Sequence, residues 1–550
     1  MHCFFNTFSK HLFPRMACLY LLIVFFSFTL LAHCSPDTTR RLLFSSFDQH
    51  VHQSLSDNCP AQPLPIDIPS ELPDIINNAL SQLSALGESY VDNKAVPGVA
   101  MGISYKGKNI WSKGFGVKDK NKPGIAPDDD TIFRIGSVSK VFPVIMLYQL
   151  YAEGSVQSLD DPLTKYAPDF KINNTFSKSD ITLRQMASQL SGLPREAPCG
   201  LTPLGLNICP LTNSEILSKL SSQNLLLPSW TRPSYSNLAF ALLGNLLATH
   251  YDEKKSFEDY AQDQIINPLQ LTNTGFKITD DVKDRMAVGY TPDGDEAPLI
   301  DLGYISPAGQ MYSTINDLNK LSQFFYEAHI LAFNDSSVLF SDFESILSSD
   351  LRREMSLPYF VNPDGQSGFG TPWEILFDGN YTIRTKGGNI NGYSALFSFI
   401  PELHLGINAL FSGSVDDGTF AKKAFDIFLP PFVSFLSDNV PPVPAPPNPN
   451  IYVGHYKALL NVVTANIFVK NNEMYLSYNY SGQVMSVYLY YHDVQSMQMY
   501  YPSHLLPCLT GELLAILGKW VYFDPVDKSS GNITGFTIPP VHLKRVSEEF

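Results

Sequence analysis

Strand-forming sequence falls at the two ends of one long stretch, with helical sequence between. Pro97-Gly-Val-Ala-Met-Gly-Ile-Ser-Tyr105 and Asn109-Ile-Trp-Ser-Lys-Gly-Phe-Gly116 read as two strands joined by a turn at Lys106-Gly107-Lys108. Strand character returns at Tyr381–Thr385, Tyr393–Ile400 and Leu405–Phe411. Between them, Ile181–Leu190, Ser236–Thr249 and Ser256–Ile266 carry apolar residues at helical spacing, as does Ile75–Val91 ahead of the first strand. One antiparallel sheet made from both ends of a domain satisfies this order. The expected fold is α+β: an antiparallel sheet flanked by helices, with a helical insertion.

The chain has 550 residues and is 44% hydrophobic, enough for more than one core. Val440-Pro-Pro-Val-Pro-Ala-Pro-Pro-Asn-Pro-Asn450 is a stiff, extended linker and a natural boundary. Beyond it, Glu473–Tyr480 and Val487–Tyr491 are rich in Tyr and Val, as in a small antiparallel barrel or sandwich. Most of those tyrosines read as ordinary strand residues rather than as a cavity lining.

The N-terminus reads as an address. Lys10 and Arg15 precede an apolar run of about 16 residues, Ala17–Ala32, and Ala32-His33-Cys34 offers a cleavage site before Ser35. A signal peptide or an uncleaved signal anchor is expected over residues 1–34, and a stalk over 35–70. The main domain is expected over 71–438, the linker over 439–450 and a β domain over 451–550. The main domain then lies outside the cytosol, either secreted or anchored to the membrane through the N-terminus alone. Past the leader, Cys59, Cys199, Cys209 and Cys508 are even in number, which suits an oxidising compartment. Cys199 and Cys209 close a short loop and are the expected pair, leaving Cys59 and Cys508. Glycosylation sequons stand at Asn173, Asn334, Asn380, Asn479 and Asn532. A net charge of −15 argues against nucleic-acid partners.

Chemistry centres on Phe133-Arg-Ile-Gly-Ser137-Val-Ser-Lys140. A helix beginning at Ser137 puts Ser137 and Lys140 on one face, so the amine can take the hydroxyl proton. The helix runs to about Glu153, with a kink expected at Pro143. A lone S-x-x-K is weak, but two partners accompany it. Tyr235-Ser-Asn237 opens an apolar helix, and Lys386-Gly387-Gly388 ends a strand. A tyrosine between ammonium groups can be driven towards phenolate, and an asparagine can orient the lysine. A lysine on a sheet edge can bind a substrate carboxylate. Neither metal nor cofactor is expected.

These three motifs, in this order and at these gaps, resemble those of the serine β-lactamase and penicillin-binding-protein superfamily. The branch resembled is the class C-related one, including the animal β-lactamase-like proteins. Ile181–Pro194, Ser306-Pro-Ala-Gly-Gln-Met-Tyr-Ser-Thr and Gly388-Asn389-Ile-Asn-Gly392 resemble further segments of that branch. The resemblance implies a β-lactamase/transpeptidase-like fold and acyl transfer to water from an amide, ester or lactam. It implies Ser137 as nucleophile, Lys140 and Tyr235 as shared base, and Asn237 as the group orienting lysine and substrate. Lys386 then supplies positive charge, and the N–H groups of Ser137 and Asn389 form the oxyanion hole. Three positions depart from the pattern. Lys386-Gly387-Gly388 lacks the hydroxyl of K-[S/T]-G, Gln310 stands where glycine is common, and Trp230-Thr-Arg-Pro replaces a P-G turn. Two rival readings follow: an extracellular binding or scaffold protein of the same fold with weak or no turnover, and a hydrolase that depends on self-assembly.

Overall fold

The computed structural model describes residues 65–546, apart from 197, 200–207, 330–341, 380, 440–444, 459–462, 481–482 and 501–518. Helix α1 (Asp74–Asp92) leads into β1 (Gly98–Tyr105) and β2 (Lys108–Gly116). β3 (Phe133–Arg134) is short and runs into a tight turn at Gly136–Lys140, which continues as α2 (Val141–Ala152). The helical insertion includes α3 (Asn237–Tyr251) and, after β4 (Tyr312–Ser313), α4 (Ile315–Tyr326). Then come β5 (Pro358–Val361), β6 (Ser367–Gly370), β7 (Glu374–Asp378), β8 (Tyr381–Ile390), β9 (Tyr393–Ile400) and β10 (Leu405–Phe411). Helix α5 (Asp417–Asp438) closes this part of the chain.

The eight main strands form one sheet in the order β2-β1-β10-β9-β8-β7-β6-β5. β1 pairs antiparallel with β10 in a register that puts Val99 opposite Phe411. The N-terminal hairpin is thus completed by the last strand of the sheet, as the strand order along the chain requires. β1, β9 and β10 are buried along their whole length because helices cover both faces. One face packs on α1 and α5 through residues such as Leu83, Phe420 and Phe428. The other packs on α4 and shares one core with α2 and α3, which includes Val144, Leu242, Phe325 and Phe399. Burying an aliphatic or aromatic side chain contributes about 1.5–3 kcal/mol each, so these two layers dominate the energetics of the sheet.

Pro143 falls in the first turn of α2, where its missing N–H removes no intrahelical bond. The kink expected there is replaced by a change from 3₁₀ to α geometry between Lys140 and Val141.

After the linker, a closed barrel runs β11 (Gly454–Ala458), β12 (Val463–Lys470), β13 (Glu473–Tyr480), β14 (Gln483–Asp493), β15 (Ser496–Tyr500), β16 (Trp520–Phe523), β17 (Gly535–Ile538) and β18 (Val541–Val546). Its interior has an apolar core of its own, with Ile467, Leu476, Leu489, Met497 and Phe536 buried. Tyr475 stacks on Phe468 and meets Tyr488 at a tilt, with ring centroids 5.3 and 4.7 Å away, in cross-strand pairs.

Cys199 and Cys209 are paired, with Cα atoms 5.4 Å apart. Residues 1–64, Cys59, Cys508, Asn334 and Asn380 lie outside the described residues, as does the side chain of Asn479. Asn173 is exposed and Asn532 half-buried. Among the described residues, no helix is long and apolar enough to cross a membrane.

Candidate active site

Ser137 is the half-exposed member of an otherwise buried run from Thr131 to Lys140. It sits in the 3₁₀ turn ahead of α2, where residues i and i+3 eclipse. That eclipse brings Lys140 Nζ to 2.8 Å from Ser137 Oγ. Gly136 takes a left-handed φ of +48° to make the turn, and an added Cβ there would lie 2.9 Å from the backbone of Asn389.

Lys140 is fully buried and has two further partners: Asn237 Oδ1 and the Ala308 carbonyl, both 2.7 Å away. Each of these can only accept, so each takes one N–H of the amine. Asn237 cannot reverse its amide, because its Nδ2 donates to Glu196 Oε1 at 2.6 Å. The third partner, the Ser137 hydroxyl, is the one that can either accept or donate. Burial, with Lys386 adding to it, holds Lys140 well below the usual lysine range, against the smaller opposing pull of Glu374 and Glu196. A neutral amine aims its lone pair at the remaining partner, and the Ser137 O–H then donates into it.

The Tyr235-Ser-Asn237 segment is placed by a helix cap. Ser236 Oγ accepts from the Ala239 N–H at 3.0 Å, starting α3, and donates to the Pro194 carbonyl at 2.7 Å. Asn237 therefore opens the helix, and Tyr235 precedes it with its hydroxyl in hydrogen-bonding reach of Ser137 and Lys386. Three basic groups ring the tyrosine: Lys140 Nζ, Arg195 Cζ and Lys386 Nζ lie 5.0, 4.9 and 5.2 Å from its ring centroid. The expected drift towards phenolate does not follow. Burial raises the phenol above its ordinary range, and Lys386 offsets this only in part. The Tyr235 phenol therefore holds its proton more tightly than an ordinary tyrosine.

β8 supplies the third wall. It pairs with β9 through Gly388 and Ala395, and β7 starts at Glu374 opposite Thr385, so Lys386–Ile390 extend past the end of β7. An added Cβ on Gly388 would stand 2.0 Å from the Ile135 carbonyl oxygen and 3.0 Å from the Ser137 nitrogen. Glycine there lets β8 lie against the turn that carries Ser137. Along a strand, alternate N–H groups face the same side. The Gly387 N–H meets Glu374 Oε2 at 3.1 Å. The Asn389 N–H therefore faces the same way, beside the turn that carries the Ser137 N–H. The Asn389 side chain is tied off: Nδ2 donates to Asp417 Oδ1 at 2.7 Å, and Oδ1 accepts from Ser394 Oγ at 2.6 Å. Lys386, 1% exposed, donates to Glu374 Oε1 at 2.7 Å and to the Gly387 carbonyl at 2.8 Å. Burial alone would lower its pKa, but Glu374 and its other neighbours outweigh that and hold the ammonium above the usual range.

The three motifs thus meet at one point. The structure also brings in Ala308, through its carbonyl, from the Ser306–Thr314 segment, and four residues that no sequence motif flagged, Arg195, Glu196, Glu374 and Asp417, through their side chains. Two departures from the family pattern have local reasons. Gln310 Oε1 accepts from Arg134 at 3.2 Å and from the Leu302 N–H at 2.9 Å, which a glycine could not do. Trp230 occupies the left-handed region, φ 64°, that a glycine would take in a P-G turn.

The β-lactamase family model matches residues 83–429, which span the sheet and all three motifs. The chain belongs to the β-lactamase family. A β-lactamase-like protein of Homo sapiens is 35% identical over 407 residues, covering 72% of this chain and 77% of the relative. The Escherichia coli D-alanyl-D-alanine-carboxypeptidase/endopeptidase AmpH is 28% identical, covering 52% of this chain and 73% of its own. The class C β-lactamase of Rhodobacter sphaeroides shares the fold: TM-score 0.52 at 19% identity, over 64% of this chain and 99% of that one. Members of this family are serine hydrolases.

Proposed function

We propose that the protein is a serine hydrolase that transfers an acyl group from an amide, ester or lactam to water through a Ser137 acyl-enzyme. Ser137 Oγ attacks the acyl carbon as its proton passes to Lys140 Nζ. The oxyanion accepts from the N–H groups of Ser137 and Asn389. As the tetrahedral centre collapses, the bond to the leaving oxygen or nitrogen breaks, and that atom takes the proton from Lys140 through the Tyr235 phenol. Water then attacks the acyl-enzyme ester, giving its proton to the same pair; the bond from Ser137 Oγ to the acyl carbon breaks, Oγ takes that proton back, and the acid leaves. The observation that carries this reading is the Lys140 amine, buried, 2.8 Å from Ser137 Oγ and with its other partners able only to accept. A location outside the cytosol is part of the proposal and is supported by the leader sequence and the Cys199–Cys209 pair.

The test is labelling by a fluorophosphonate. Wild type should label at Ser137 and Ser137→Ala should not. Lys140→Ala should slow labelling by roughly 10³-fold or more. Folded protein that never labels would instead favour the scaffold reading.

A further inference from the structure

The carboxylate of Glu374 is bound by an ammonium and a strand-edge N–H. Its Oε1 lies 2.7 Å from Lys386 Nζ and its Oε2 accepts from the Gly387 N–H at 3.1 Å. Those are two donors that a substrate carboxylate would need on this side of Ser137. Glu374 reaches them because β7 begins with it, at the point where β8, still paired with β9, runs on past β7.

A second observation concerns Gly387, which stands where a hydroxyl residue would complete the third motif. A Cβ at 387 would lie 1.6 Å from Asp417 Oδ2. Asp417 is the first residue of α5 and is fixed by Asn389. An acid therefore fills the space of the missing hydroxyl. A single ammonium, Lys386, now faces two internal carboxyl groups, and an incoming third one would meet like charge.

We infer that Glu374 is a built-in occupant of the anion subsite beside Ser137, so that the enzyme acts on esters or amides with no carboxylate next to the scissile bond and rejects those that carry one. The inference rests on the hydrolase reading of Ser137. Asp417 reinforces the exclusion, and both residues set specificity without touching the reacting atoms.

The test compares two esters, phenylacetylglycyl-glycolate and the matching glycolamide, which differ only in an anionic or uncharged group beside the ester. Fluorophosphonate labelling of Ser137 is run in parallel. Wild type should show kcat/KM roughly 100-fold or more higher for the glycolamide, since facing like charges costs several kcal/mol. Glu374→Gln should narrow that ratio at least about 10-fold by raising the glycolate rate, and Asp417→Asn should narrow it less. Equal rates or a glycolate preference in wild type overturns the inference while labelling keeps the hydrolase reading intact. So does an unchanged ratio in a Glu374→Gln protein that labels normally. Labelling without hydrolysis of the glycolamide also counts against it. Absence of both labelling and hydrolysis sinks the hydrolase reading and this one together. If Glu374→Gln fails to fold, the wild-type ratio still decides.

Discussion

Two lysines share one pocket, and their pKa values move in opposite directions for physical reasons that lie in their partners. Lys140 has the neutral acceptors Asn237 and Ala308 and a cation nearby, so burial wins and holds its pKa well below the usual lysine range. Lys386 has Glu374 at 2.7 Å, so the ion pair wins over burial. The pH dependence follows. Acylation needs the unprotonated form of Lys140, whose pKa lies below the ordinary 10.5. The labelling rate should therefore rise with pH through an apparent pKa below that value and then level off. Lys386 and Tyr235 titrate above their ordinary ranges and impose no earlier fall. Glu374 favours the protonated form of Lys140, so Glu374→Gln should move the rising limb to lower pH. A stopped-flow pH profile of both proteins checks this, and a rate that falls as pH rises over the same range would rule out Lys140 as the base.

At the scale of elements, the site depends on a cap, a turn and a strand that overshoots its neighbour. Ser236 both starts α3 and anchors the Pro194 loop, so Ser236→Ala should cost about 1–2 kcal/mol in urea denaturation. It should also slow labelling, because Tyr235 and Asn237 flank the cap. Gly387→Ser meets Asp417 and should destabilise by about 1–3 kcal/mol. Adding Asp417→Ala to it should recover most of that loss, and a double-mutant cycle reads the coupling. Such elements differ in how far sequence exposes them. Ser137 and Lys140 are visible because a single turn fixes their spacing, and Tyr235 and Asn237 because a helix start does. Lys386 to Asn389 are visible through their glycines. Glu374 and Asp417 reach Lys386 from a separate strand and from a helix, and no local spacing records such a meeting. Ala308 acts through its carbonyl, so its side chain carries no signal at all. The strands β1, β9 and β10 are legible because they are buried apolar runs bounded by turn residues, and β2 because a short turn at Lys106–Lys108 returns the chain along β1. The 3₁₀ turn at Gly136–Lys140 is not, since its geometry is set by the packing of Gly136 against Asn389.

Over the whole molecule, apolar side chains divide into two layers on the large sheet and a separate core inside the barrel. Leu489→Ala, deep in the barrel, should cost about 2–5 kcal/mol and lower one calorimetric transition while Ser137 labelling is unchanged. Phe399→Ala, in the layer behind β8, should lower the other transition and slow labelling with it. A single transition shifted equally by both would show that the two parts unfold as one. The pairing of Val99 with Phe411 also has a temporal meaning. At roughly 5–20 residues per second of synthesis, the first hairpin waits about 15–60 s for its partner strand. During that interval β1 has one edge unpaired, and it is an apolar edge. The helical insertion emerges inside the same window and can collapse first. A pulse of synthesis halted before residue 405 should therefore leave a chain that chaperones hold, and release should coincide with the arrival of β10.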